Sequence, residues 1–329
     1  MTTPMTAPTS ANDIRIIRVY DAPVALVWDA WTDVDQVVQW WGPRGFTLTT
    51  HSKDLRPGGS WVYTMHGPDG TDWPNFARYH EVVPHELLVY DHGATAEDAK
   101  PLFRVAARFR DLGGRTELDI CMTLATAEEA RQTRTFIKAA GGNSTWDRLA
   151  EFLEKEASSQ EIFVINRTFE APIATVFDLW TTPAHLAAWL PPAGFTMAFQ
   201  QADIRTGGVT TFSLTSGDLA MFVRHDYALV HRTDRIQYTQ SFTDAHGQLS
   251  RHPGAPTWPE TTLVTVTFAA EGLSETRVMV RFDVIGTTTP EEIATFTGER
   301  AGMTRGWTAS FDALEALLVG AASVRSQSH

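Results

Sequence analysis

The stretch RVYDAPVALVWDAWTD at residues 18–33 returns as RTFEAPIATVFDLWTT at residues 167–182, which is 149 positions later. Around it, residues 14–59 align with residues 163–208 without a gap, and 18 of the 46 aligned positions are identical. This period is far longer than the roughly 20–50 residues of a solenoid repeat, so each copy should be a complete domain with its own core. We place the two tandem domains at residues 13–157 and 162–319.

Each copy predicts the same opening elements. An extended segment ends at an Ala-Pro pair, and proline suits the first turn of a helix. In the first copy Val24, Val27, Trp28 and Trp31 follow at helical spacing. They predict a short helix that buries one apolar stripe, and a second short helix ends before a Pro-x-Gly-Phe segment.

Later segments alternate apolar and polar residues, which is the period of a strand. Leu118, Ile120 and Met122 alternate with Glu117 and Asp119. A strand with one apolar face and one solvent-exposed polar face indicates an antiparallel sheet that is covered on one side. The last apolar segment of each copy steps by three and four, which predicts one long closing helix: Phe136, Trp146, Leu149 and Leu153 in the first copy; Phe296, Arg300, Met303, Trp307, Phe311, Leu314 and Leu318 in the second. The expected fold class is α+β, with each domain a curved antiparallel sheet wrapped around a long C-terminal helix and two short helices after the first strand.

Several motifs make this expectation specific. RPGGSWVYTMHGPDGTDWPN (56–75) and YHEVVPHELLVYDH (79–92) in the first copy, with SFTDAHGQLSRHPGAPTWPE (241–260) and GWTASFDALEALL (306–318) in the second, resemble the SRPBCC or START-like superfamily. The nearest branch is similar to the C-terminal domain of the activator of the heat-shock-protein-ninety ATPase. The resemblance implies a helix-grip fold in both copies. It leaves function open among carriers, polyketide cyclases, hormone receptors, hydrolases and co-chaperone modules.

Composition excludes several function classes. The chain has 329 residues and a formal net charge of −12, so neither nucleic acid nor an anionic membrane is an expected partner. No 18 apolar residues run together, and no membrane span is expected. Cys121 is the only cysteine, so no intrachain disulfide can form. The opening MTTPMTAPTSAN reads as a tail and not as a signal peptide, and the expected location is cytoplasmic.

A sheet wrapped on one helix leaves a gap that large side chains or a ligand must fill. The expected pocket residues are Trp41, Phe46, Trp61 and Tyr63 in the first copy, and Phe195, Phe212, Tyr238, Met303 and Trp307 in the second. Glycines recur in the closing helix at Gly298, Gly302 and Gly306, and Gly141 aligns with Gly306. Close packing of helix on sheet is the favoured reason for them, and room for a ligand is the alternative.

The candidates for catalysis are few. Aligned at an offset of 145, His80-Glu81 meets His225-Asp226, and an inward histidine could act as a general acid or base. Arg78 shares a face with His80 and could bind an acidic or carbonyl group. An exposed histidine at the sheet rim is the favoured interpretation. No metal site is expected, because His80 to His85 has one residue too many for H-E-x-x-H and carries a proline.

The predicted function is binding of a small hydrophobic or aromatic molecule between sheet and closing helix in one or both domains, as a carrier or sequestration protein. The alternatives are a cyclase-type or hydrolase-type enzyme acting on such a molecule, and a co-chaperone-like module. No cofactor is expected. The duplication predicts an internal pseudo-dimer, so the chain should be a monomer.

Overall fold

The computed structural model describes residues 10–94, 100–139, 144–158, 161–271 and 274–326. The chain divides into two compact units, Met1–Ala157 (unit 1) and Ser158–His329 (unit 2). Each unit combines one antiparallel sheet with helices, and the fold is that of two tandem helix-grip domains.

Unit 1 runs β1 (Asp13–Tyr20), α1 (Val24–Thr32), α2 (Val34–Trp40), β2 (Thr47–Lys53), β3 (Ser60–His66), β4 (Asp72–Val83), β5 (Leu87–Ala94), β6 (Phe103–Asp111), β7 (Thr116–Thr123), α3 (Ala127–Ala139) and α4 (Ser144–Ala157). Within the described residues its sheet has seven strands in the order β1-β7-β6-β5-β4-β3-β2. Every neighbouring pair is antiparallel.

Unit 2 runs β8 (Ile162–Phe169), α5 (Ile173–Thr181), α6 (Pro183–Trp189), β9 (Thr196–Ala202), β10 (Val209–Ser216), β11 (Leu219–His231), β12 (Arg235–Thr243), β13 (Leu249–Ser250), β14 (Thr261–Ala270), β15 (Thr276–Val284), α7 (Pro290–Gly298) and α8 (Arg300–Ser326). Its strand order is β8-β15-β14-β12-β11-β10-β9, with β13 paired to β12. This order repeats that of unit 1.

The two short helices of each unit are tied together by a buried indole. Trp40 on α2 donates from Nε1 to the Ala30 carbonyl at 2.8 Å, and Trp189 on α6 donates to the Leu179 carbonyl at 2.9 Å. Asp33 accepts from the backbone N–H groups of Asp35 and Gln36 and so caps the start of α2. The predicted stripe of α1 is buried at Val27, Trp28 and Trp31.

The closing segments differ from the single long helix expected in each copy. In unit 2, Glu299 separates α7 from α8, so Phe296 and Gly298 belong to the first of two consecutive helices. A capping box at Thr289 and Glu292 marks the start of α7, so this short helix has an N-terminal boundary of its own. In unit 1 the closing segment comprises α3 and α4, and Gly141 lies outside the described residues.

Candidate functional site

The inner face of the unit 1 sheet is the face that packs against the helices. Tyr90, Val105 and Met122 lie on it as direct cross-strand partners, and all three are buried. The adjacent row on the same face consists of Trp61 on β3, Ala77 on β4, His92 on β5 and Phe103 on β6, each the partner of the next. We call these four residues the unit 1 row.

A cavity of about 1220 Å³ lies between this face and the closing helices of unit 1. The sheet contributes Ile16, Tyr90, His92, Phe103, Val105, Ile120 and Met122, and the helices contribute Thr133, Phe136, Ile137 and Trp146. Trp41, Met65 and Trp73 complete the apolar wall. The lining is largely apolar, and the volume is somewhat above the roughly 300–1,000 Å³ of typical small-molecule sites, so the space has room for a small organic ligand.

His92 is one of the polar residues that line the cavity. Its ring stacks on Phe103 with centroids 4.9 Å apart, and its Nδ1 lies 3.4 Å from the Tyr63 hydroxyl. Burial lowers the pKa of His92 to about 4, so the imidazole is neutral at pH 7. Burial also raises the pKa of Tyr63 far above its usual value, and a hydrogen bond from the Trp41 indole opposes that rise. The Tyr63 hydroxyl can donate to Nδ1 or accept from it, so this contact is compatible with either neutral tautomer of His92.

The lining of the cavity extends to exposed apolar side chains. Leu102 and Phe136 are each 64% exposed, and Trp73 is 47% exposed. Large apolar side chains that remain in water beside a cavity mark a contact surface or an entrance more often than ordinary surface. An apolar molecule would therefore meet an apolar border before it reached the interior.

The expected pocket residues of unit 1 separate into two groups. Trp41 lines the cavity and packs edge to face on Trp61 at 5.4 Å. Trp61 and Tyr63 stack on each other at 4.0 Å as fully buried core residues, outside the lining set. Phe46 is half-buried in the segment after α2 and is also outside that set.

Sequence reasoning did not select His92, Phe103, Phe136 or Trp146 for the pocket. The signal was available for His92, because Tyr90 and His92 alternate with Asp91 on a strand and must share one face.

The expected pocket residues of unit 2 lie in three separate places. Phe212 and Tyr238 flank the His225 ring at 5.0 Å and 4.2 Å. Met303 and Trp307 lie half-buried on α8 against the core of unit 2. Phe195 is half-buried in the turn between α6 and β9, where its N–H donates to the Pro192 carbonyl.

The alignment of His80 with His225 is wrong. The N–H of Gly58 donates to the Tyr79 carbonyl and the N–H of Gly207 donates to the Tyr227 carbonyl, each at 2.8 Å. The two tyrosines therefore occupy the same place, and counting back two residues pairs Ala77 with His225. His80 is the extra residue of a β-bulge between Tyr79 and Glu81.

His80 and Arg78 are outside the set of residues that line the cavity, although their partner Asp91 belongs to it. His80 Nε2 is 2.7 Å from Asp91 Oδ2, and Arg104 Nε donates to Asp91 Oδ1 at 2.8 Å. These hydrogen bonds, chiefly that from Arg104, hold the pKa of Asp91 below its usual value against the opposing effect of burial. Arg78 is the direct cross-strand partner of Asp91. His225, in contrast, is inward and 3% exposed.

The glycines of the closing helix do not mark close packing on the sheet. A Cβ built on Gly306 or Gly298 would meet no atom within 4 Å among the described residues. At Gly302 the nearest atom is the Glu299 carboxylate at 3.0 Å, which belongs to a flexible side chain on the neighbouring turn. The expectation of close helix-to-sheet contact at these positions is therefore wrong.

Two absences concern the part of the chain that the structure describes. There, no group of three or more His, Cys, Asp or Glu side chains is arranged to hold a metal ion. In the same residues, no helix combines the length and apolarity that a bilayer crossing requires.

Comparison with known proteins gives one family. The model described as Activator of Hsp90 ATPase homolog 1-like protein matches twice, at residues 21–154 and 170–319. None of the curated proteins matches this chain.

Solved structures resemble one unit or both. A Nitrosomonas europaea protein is 23% identical and covers 46% of this chain and 99% of its own, with a TM-score of 0.42. A Mycobacterium smegmatis protein is 26% identical over 47% of this chain and 98% of its own, with a TM-score of 0.41. The di-domain ARO/CYC BexL from the BE-7585A biosynthetic pathway is 12% identical over 92% of this chain and 97% of its own, with a TM-score of 0.38.

Proposed function

Because this chain belongs to the family of Activator of Hsp90 ATPase homolog 1-like proteins, which matches it once in each unit, we propose that it is a binding protein. Unit 1 holds a small hydrophobic or aromatic molecule in the cavity between its sheet and its closing helices. The observation that carries this proposal is the cavity of about 1220 Å³ with its apolar wall.

The chemistry of the wall favours binding over acid–base catalysis. The His92 imidazole is neutral at pH 7 because burial lowers its pKa to about 4, and a general acid or base works best with a pKa near the working pH. His92 instead supplies a hydrogen bond that orients a ligand, while Phe103 and Trp146 supply apolar contact area. A molecule with an apolar body and one polar group that can hydrogen-bond to His92 fits this arrangement.

A plugging variant on α3 tests the site. Thr133 is half-buried and lines the cavity, whereas Thr135 is exposed on the same helix and is not a lining residue. Thr133→Trp places an indole in the cavity, and Thr135→Trp is the matched control. The probe is N-phenyl-1-naphthylamine, an uncharged aromatic compound whose fluorescence rises in apolar surroundings.

We expect Thr133→Trp to weaken probe binding at least about tenfold and Thr135→Trp to leave it unchanged. Saturating probe should raise the Tm of the wild-type and Thr135→Trp proteins, because a ligand that binds only the folded state stabilises it. Equal binding by both variants would remove unit 1 from consideration. Native mass spectrometry of freshly purified protein identifies any compound that copurifies.

The duplication also supports a monomeric protein, in which two units of one chain replace two subunits of a dimer. Sedimentation equilibrium should give a mass close to 36.5 kDa. An obligate dimer would contradict this part of the proposal.

A further inference from the structure

Unit 2 carries a row of polar side chains on the inner face of its sheet. Thr210 on β10, His225 on β11, Gln240 on β12 and Thr262 on β14 are successive cross-strand partners, and we call them the unit 2 row. Direct cross-strand partners have Cβ atoms about 5 Å apart, so the four side chains form one continuous band.

The unit 2 row stands where unit 1 has its own row. Counting from the shared positions of Tyr79 and Tyr227, His225 takes the place of Ala77, and Thr210 takes the place of Trp61. Further across the sheet, Gln240 replaces His92 and Thr262 replaces Phe103. Unit 1 has one polar residue in this row, and unit 2 has four.

The unit 2 row is bordered by aromatic residues on both sides. Tyr227 and Tyr238 are partners in the next row on one side, and Phe212, Val223 and Phe242 follow on the other. The Tyr238 ring stacks on His225 with centroids 4.2 Å apart. A polar band enclosed by apolar walls orients a ligand through hydrogen bonds while the walls supply contact area.

The tautomer of His225 follows from its contact with Gln240. The Gln240 Oε1 lies 3.2 Å from the His225 Nε2, and an amide oxygen can only accept, so Nε2 carries the proton. Burial lowers the pKa of His225 to about 3, against the effects of Gln240 and Asp226. The neutral ring therefore presents a lone pair at Nδ1, which is buried and without a hydrogen-bond partner among the described residues.

Thr262 provides a second group of this kind. Its side chain is 1% exposed, and its hydroxyl has no hydrogen-bond partner in the part of the chain that the structure describes. Buried polar atoms in folded proteins are nearly always satisfied, because an unmade hydrogen bond costs the desolvation of the group. The Thr210 hydroxyl is a third such atom among the described residues, and three of them in one row indicate that a further molecule completes their hydrogen bonds.

The middle of the row is more accessible than the residues beside it. Gln240 stands between His225 and Thr262, which are almost fully buried, yet Gln240 itself remains half-buried. On the opposing helix, Trp307 packs against Phe282 at 6.0 Å, and Phe282 lies in the row next to Thr262. Trp307 is itself only half-buried, and a Cβ on Gly306 beside it would meet no described atom within 4 Å.

We propose that unit 2 is a second binding site, for a hydroxylated aromatic molecule that donates a hydrogen bond to His225 Nδ1 and exchanges one with the Thr262 hydroxyl. This ligand class differs from the apolar one proposed for unit 1, since the unit 2 row has four polar residues where the unit 1 row has one. The site does not depend on the unit 1 cavity.

The first test observes the His225 ring directly. Phenol is the probe, and toluene is the control that has the same ring without the hydroxyl. In long-range ¹H–¹⁵N spectra of ¹⁵N-histidine-labelled protein, phenol should move the Nδ1 resonance of His225 toward the hydrogen-bonded range, and toluene should not. The assignment comes from its loss in His225→Phe. An Nδ1 resonance that is already hydrogen-bonded in the free protein and unmoved by phenol would show a resident water instead, and would overturn the proposal.

The second test uses Thr262→Val, which removes the unpartnered hydroxyl and keeps the shape of the side chain. We expect the ligand-free Tm to stay the same or rise, and the affinity for phenol to fall about tenfold. The matched control is Thr265→Val on the other face of β14, which removes a hydroxyl bonded to Gln237 and should leave phenol binding unchanged. Unchanged affinity in Thr262→Val would refute the site.

A third comparison separates this proposal from that for unit 1. Thr133→Trp should leave the response of His225 to phenol intact, and Thr262→Val should leave the binding of N-phenyl-1-naphthylamine by unit 1 intact. A loss of the His225 response in Thr133→Trp would show that phenol acts through the unit 1 cavity and would contradict the second site.

Discussion

Tyr63 and His92 meet across the inner face of the unit 1 sheet, with the phenol oxygen 3.4 Å from the imidazole Nδ1. His92 lines the cavity, while Tyr63 lies in the core behind it. The hydroxyl can donate or accept at Nδ1, and the tautomer that results decides whether Nε2 presents a donor or an acceptor to the cavity.

Removal of the Tyr63 hydroxyl tests how this contact affects the tautomer of His92. We expect Tyr63→Phe to lower the free energy of unfolding by about 1 kcal/mol, because the contact is long and His92 stays neutral. The ¹⁵N spectrum of the His92 ring should change from one tautomer to a mixture of both. A ring that keeps a single tautomer without Tyr63 would show that another group holds the proton.

Stability should fall in mild acid because of the two buried histidines. The pKa is lowered to about 4 in His92 and to about 3 in His225, from about 6.5 in the unfolded chain. Between these values the unfolded state binds more protons, so stability is full above about pH 6.5 and is lost as the pH falls toward the folded-state values. Each ring contributes a slope of up to about 1.4 kcal/mol per pH unit.

Urea unfolding at pH 7 and pH 5 measures this effect. His225→Gln keeps a polar side chain that does not titrate, and it should reduce the loss of stability between the two pH values. His80→Gln is the control, because His80 lies on the other face of the sheet, 38% exposed in its side chain. An equal loss at pH 5 in wild-type and His225→Gln would contradict the prediction.

Unit 2 has the cross-strand pair Thr210 and His225 where unit 1 has Trp61 and Ala77. This difference predicts that the effect of a substitution at one of the two positions depends on the residue at the other. Ala77→His should destabilise unit 1 by about 1–3 kcal/mol, because the new ring meets the fully buried Trp61. The double variant Trp61→Thr with Ala77→His should recover part of that loss. A double-mutant cycle by urea unfolding measures the interaction, and additive effects would show that the two positions are independent.

Lys53 is a further group that titrates in an unusual range. Its ammonium donates to the Trp31 carbonyl at 2.8 Å and lies 4.4 Å from the centre of a Trp61 ring. Burial lowers its pKa to about 7, against the opposing charge of Asp33. The unfolded chain keeps the proton up to about pH 10.4, so the contribution of Lys53 to stability rises with pH between about 7 and 10.

Reductive ¹³C-methylation followed by NMR titration measures this pKa. The resonance that disappears in Lys53→Met should titrate near pH 7. The contribution of Lys53 to the rise in stability between pH 7 and 10 should also be absent from the Lys53→Met variant. Titration of that resonance above about pH 10 would contradict the assigned burial.

The local pattern of the chain was enough for the architecture. The alternation at Leu118, Ile120 and Met122 and the prolines before α1 and α5 depend on neighbours within a few residues, and both are confirmed. The repeat at residues 18–33 and 167–182 is read by comparing two such stretches, and it is confirmed as well. The closing segments were predicted less well. In unit 2 the break between α7 and α8 falls at Glu299, and glutamate ordinarily favours helix, so its residue type does not indicate a helix end.

The site depended on relationships that only the folded sheet creates. A single bulge residue, His80 in unit 1 and Ala228 in unit 2, changes which side chains face the helices. Its position cannot be read from apolar alternation, so His80 was expected where Ala77 stands. Trp61 and Tyr63 were chosen as aromatic residues near the open end of the predicted fold, but that position does not distinguish a core residue from a wall residue. The sequence by itself determined two copies of one fold, since that follows from local periodicity. Tertiary structure alone decided that His92 faces a cavity and that His225 lies in a polar row, because both depend on the register between strands that are distant along the chain.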